Sequence, residues 1–80
     1  MDLFSVHQFF ADETSEEVAS QLDAKSAVET AHSFTTRPAA VMGIIRRVII
    51  TDSSDCCVFE WQSGQGVTFP TREMLREARP

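Results

Sequence analysis

"VMGIIRRVIITDSSDCCVFEWQ", residues 41–62, sets two β-branched and aromatic runs on either side of four turn-forming residues, Asp52 to Asp55. Such runs favour the pleated strand, and Asp and Ser bond their own backbone in tight reversals, so the segment predicts a β-hairpin. With Asp52–Asp55 as the loop, Thr51 faces Cys56. Counting outward pairs Ile49 with Val58, Val48 with Phe59, Arg47 with Glu60 and Arg46 with Trp61. This register makes Arg47 and Glu60 a cross-strand ion pair and lays Arg46 against Trp61; a slip of one residue loses both. Strand alternation then predicts that Ile44, Val48, Ile50, Cys57, Phe59 and Trp61 share one face. Ile45, Arg47, Ile49, Cys56, Val58 and Glu60 share the other.

Upstream, "LFSVHQFF" (residues 3–10) interleaves aromatic and polar residues, and the acidic "ADET" closes the run, as expected of a first strand. Thr14 and Glu17 have the spacing of a capping box, which predicts a helix starting near Ser15. Its apolar phase, Val18 and Leu22, breaks at Asp23, a good N-cap for a second helix, so two helices, or one kinked helix, are expected. There Ala24, Ala27, Val28, Ala31 and Phe34 recur at helical spacing. Pro38 in "TTRP" pushes the preceding residue out of the helical region and ends it. Downstream, "SGQG" closes a second turn and "VTFP" gives a short last strand, with Val67 beside Gln62. Thr71 caps a C-terminal segment in which Met74, Leu75 and Ala78 form a narrow apolar stripe. Together these elements predict an α+β fold in one domain, residues 1–80. It is a two-layer β-α-β-β sandwich, a small mixed three- to four-stranded sheet with helices on one face.

Composition narrows the function classes. The chain has 80 residues, 42% of them hydrophobic, with six Phe and one Trp, too apolar for a disordered segment. A domain this short buries a modest fraction of its surface, which favours a stabilising partner. The formal charge of −5 repels phosphate backbones and anionic membrane surfaces, so neither nucleic acid nor membrane is an expected partner. No run approaches the roughly 20 apolar residues of a spanning helix. Asp2 and the polar Ser5, His7 and Gln8 do not suit a signal peptide. Two adjacent cysteines supply no disulfide framework, and a reducing, cytoplasmic location is expected.

The reactive side chains form no catalytic or metal signature. "TDSSDCC" gathers two carboxylates, two hydroxyls and two thiols, but it lacks the alternating acids and glycine of a calcium loop, and its serines lack a nucleophile elbow. It is read as a solvated turn. Vicinal cysteines diverge in a strand, unlike the C-x-x-C pairs of zinc and redox sites. Cys57 is expected in the core and Cys56 on the far face. His7, His32 and the helix-terminal Arg37 are the candidate ligand-binding residues, should the first strand and helix bring them to one cleft. No catalytic residue, metal ligand or cofactor is assigned.

The face bearing Ile45, Arg47, Ile49, Val58 and Glu60 is too apolar for open water, and an exposed apolar patch ringed by charge marks an interaction surface. The sequence therefore predicts a non-catalytic interaction module that homodimerises through that sheet face, or binds another protein there. The alternative is a small-ligand-binding protein or enzyme with a cleft near His7, His32 and Arg37.

Overall fold

The computed structural model describes residues 3–70. Its order is β1 (Phe4–Phe10), β2 (Ser15–Leu22), α1 (Ala24–Thr35), α2 (Pro38–Val41), β3 (Ile45–Thr51), β4 (Cys57–Gln62) and β5 (Gly66–Phe69). The five strands form one antiparallel sheet in the order β2-β1-β3-β4-β5, with both helices against one face. The α+β class holds, but the sheet has five strands and every pairing is antiparallel. The expected C-terminal helical segment lies outside the described residues.

The extra strand replaces the expected first helix. Thr14, read as its cap, is engaged elsewhere: its N–H and hydroxyl both donate to Asp12 Oδ1, at 3.0 and 2.5 Å. That bond pair, with Phe10 N donating to Thr14 O (2.8 Å) and Glu13 at φ +71°, closes a β1–β2 hairpin. Val18 and Leu22 could not discriminate the two states, because residues four apart share a face in a helix and in a strand. The second helix begins as its sequence dictates, with Asp23 Oδ1 accepting from Ser26 N at 2.7 Å.

The core lies between α1, α2 and the sheet: Val6, Val48 and Ile50 from the strands meet Ala27, Ala31 and Ala40 from the helices. Small helical residues let α1 sit close over β1 and β3.

The β3–β4 register differs from the expected one by two residues. Ile49 faces Glu60, Val48 faces Trp61 and Arg47 faces Gln62. One residue is lost in the turn, where Thr51 faces Cys57 and not Cys56; the second is Val58, a β-bulge. Between the two slips the faces invert, so Cys57 leaves the helix side and is exposed, and Val58 turns toward the helix side. A second bulge, at Arg46 opposite the Phe9–Phe10 step, returns Ile45 to the helix side, where it joins the core. Ile44, expected inside, is exposed.

Candidate functional site

Helix α1 cannot cover this sheet. Five strands spaced about 4.8 Å apart span about 19 Å, while a helix with its side chains is about 10–12 Å wide. It packs chiefly on β1 and β3. Among the described residues nothing covers the helix-side surface of β4 and β5, which forms the floor of a groove.

The groove has two adjoining clefts that share Val28, Ile50 and Phe59. One, of about 400 Å³, runs between Ala31, His32 and Thr35 of α1 and Trp61, Gly66 and Val67 of the sheet. The other, of about 380 Å³, is bounded by Phe4, Ala24, Ala27 and Val58. Val28 and Val67 are 58% and 51% exposed. Besides the Trp61 indole N–H, the side chains lining the first cleft bring polar groups only at His32 and Thr35, and the Thr35 hydroxyl is committed to His32 O at 2.8 Å. The fold has a second apolar feature. Val41 and Met42, 78% and 73% exposed, form a ridge at the end of α2 with Ile44 beside them. Gly43, at φ +83°, carries the chain past Ser63 in the β4–β5 turn, and Met42 and Ile44 border a separate cleft with Phe10, Asp12 and Thr14 at the β1–β2 turn.

The three candidate ligand residues do not converge. His7 lies on the outer face, its Nε2 3.2 Å from Thr51 Oγ1, whereas His32 lines the groove on the helix face. The sheet stands between them. Arg37 precedes α2 and stacks on the Phe34 ring, 3.8 Å from its centroid. A cleft built from all three is therefore not formed.

Nor is the outer face the open apolar surface expected. Ile45 and Val58 have left it through the two bulges. Ile49 is buried between its cross-strand neighbours His7 and Glu60. Arg47 Nε still pairs with Glu60 Oε2, diagonally and not directly opposite, and its guanidinium lies 4.9 Å from the Phe9 ring centroid. Glu60 Oε1 also accepts from Thr68 Oγ1 (2.7 Å) and Gln62 Nε2 (3.2 Å). The Thr68 hydrogen bond is the main influence holding the Glu60 carboxyl below the usual glutamate range. Burial opposes it, and Gln62 and Arg47 reinforce it.

The hairpin tip behaves as a turn. Asp52 Oδ1 accepts from Ser54 N and Cys56 N at 2.8 and 3.1 Å, and Asp55 takes φ +61°. Cys56 and Cys57 are both exposed, and among the described residues no three His, Cys, Asp or Glu side chains gather to hold a metal ion.

No family model, curated protein or solved structure matches the chain. Among the described residues no helix is long and apolar enough to cross a membrane.

Proposed function

We propose that this protein is a non-catalytic interaction module that pairs with a second copy of itself through the helix-side apolar surface. The observation that carries the reading is the floor of β4 and β5 beside α1 that the described residues leave uncovered, with Val28 and Val67 half-exposed at its rim. A stable dimer buries about 800 Å² per partner, more than the groove mouth alone can offer. The Val41–Met42 ridge supplies the remainder: in a two-fold pair the ridge of each copy seats in the groove of the other, a reciprocal contact that closes and does not propagate. The acidic charge of the chain opposes self-association at long range, so contact must come from apolar burial with charge kept at the rim. Arg47 and Glu60 then act as an internal clasp of the sheet and not as interface residues.

Sedimentation equilibrium across micromolar concentrations tests this. The expected result is a dimer that Val67→Glu and Met42→Glu each convert to monomer, with thermal unfolding of the monomer changed by no more than about 0.5 kcal/mol. A wild type that is monomeric throughout overturns the reading.

A second reading rests on the volume and lining of the same groove. About 400 Å³ of apolar space with His32 at its rim suits a small apolar ligand carrying one hydrogen-bonding group. A native mass spectrum with a retained small-molecule mass, absent in Val67→Glu, favours it over the dimer.

A further inference from the structure

We infer that β2 is a strap that opens as one unit from an otherwise intact sheet, so that the free edge of the sheet passes from β2 to β1. The inference is independent of the dimer reading. β2 ends the strand order and among the described residues pairs only with β1, so its departure breaks a single ladder. It also gives up little burial. Val18, Ala19 and Leu22 are half-buried and the rest of β2 is exposed, whereas β3 buries five of its seven residues.

The closed strand is strained near both ends. Ser15–Leu22 runs against Phe4–Phe9, eight residues against six, and the two extra residues fall in irregularities of register, between Phe4 and Val6 and between Val6 and His7. Gln21, within the first, takes φ +55°, and Glu13, two residues before the strand, takes φ +71°. This left-handed region suits Gly, Asn or Asp, and a longer side chain is strained in it. Gln8 of β1 adds a second cost to closure. It is 7% exposed, its Nε2 donates to Glu16 Oε1 at 3.4 Å, and its Oε1 finds no donor among the described residues. Departure of β2 lets water reach that oxygen, so a polar group left unpaired in the closed sheet is satisfied in the open one. The connections permit the motion. Residues 11–23 join β1 to α1, and thirteen residues reach about 43 Å when extended, against about 26 Å for an eight-residue strand. The Asp23 cap stays with α1, which packs chiefly on β1 and β3.

Native-state hydrogen exchange of the full chain, followed residue by residue in rising urea, tests this. The hydrogen-bonded amides of β2 are expected to share one opening constant that urea hardly changes, and to exchange at least about a hundredfold faster than Ile50 of β3. Val48→Ala, which weakens the core as a whole, is expected to speed exchange at Ile50 more than about tenfold and to leave the β2 constant within about twofold of wild type. Glu13→Asn combined with Gln21→Asn, at two exposed positions, relieves the strain and is expected to lower the β2 constant about tenfold. If β2 amides exchange with the same steep urea dependence as Ile50, or accelerate with it in Val48→Ala, strand and sheet open together and the inference is overturned. Constants graded along β2 from one end to the other also overturn it, because they report fraying. So does an unchanged constant in the double variant, since no strain is then released on opening.

Discussion

Glu60 illustrates how one side chain is held by neighbours on three strands. The hydrogen bond from Thr68 contributes most to its acidity, so Thr68→Val is expected to raise its pKa toward the ordinary glutamate value of about 4.3, read by NMR titration of the side-chain carboxyl. The sign of the stability effect follows: a depressed native pKa stabilises the fold above the unfolded value and is lost as pH falls through the native one. Stability of the wild type should therefore decline on acidification below about pH 4.3, and less steeply in Thr68→Val. Asp12 and Asp23 follow the same sign through their bonds with Thr14 and Ser26, and they are untouched by that variant. At the hairpin tip, Asp52→Ala removes an acceptor of two backbone N–H groups and is expected to cost about 1 kcal/mol in urea unfolding. Cys56 and Cys57 should react with a thiol reagent at comparable rates in the native monomer, since both are exposed. Protection of Cys57 alone would contradict the inverted faces at the start of β4.

Among the elements, those marked by a strong local device were legible in the sequence. Asp23 has a side chain that caps and Pro38 a ring that stops a helix, and α1 lies between them. The Asp52–Asp55 reversal likewise follows from its residue types. What sequence could not reveal was the count of residues between fixed points. Neither the residue lost in the turn nor the Val58 bulge leaves a mark in composition, yet together they move β4 by two residues, which is why Arg47 and Glu60 were placed on a common face correctly but in the wrong register; the Arg46 bulge, equally silent, moved Ile45 to the helix side. Strand β2 was hidden for a different reason, its Val18 and Leu22 satisfying both periods. The groove was hidden because its existence depends on a ratio, one twelve-residue helix against five strands, and β2 was not legible. If the Val58 bulge sets the β4 faces, deleting Val58 should expose Phe59 or force the turn to absorb the slip. Loss of the native Trp61 fluorescence maximum would report the first outcome, and an unchanged spectrum the second.

Across the molecule, few side chains are fully buried among the described residues. Val6 and Val48 are the two largest, on the central pair of strands β1 and β3. Val48→Ala is expected to cost about 2 kcal/mol, a large share of what a domain of this size possesses, measured as a lower urea midpoint with unchanged slope. The strand order carries a further consequence, for synthesis. β1 pairs with β2 at once but with β3 only after residues 11–44 have been made. At a ribosomal rate of about 5–20 residues per second, Val6 waits about 2–7 seconds with its long edge open. During that interval the nascent hairpin offers other chains a strand already half paired.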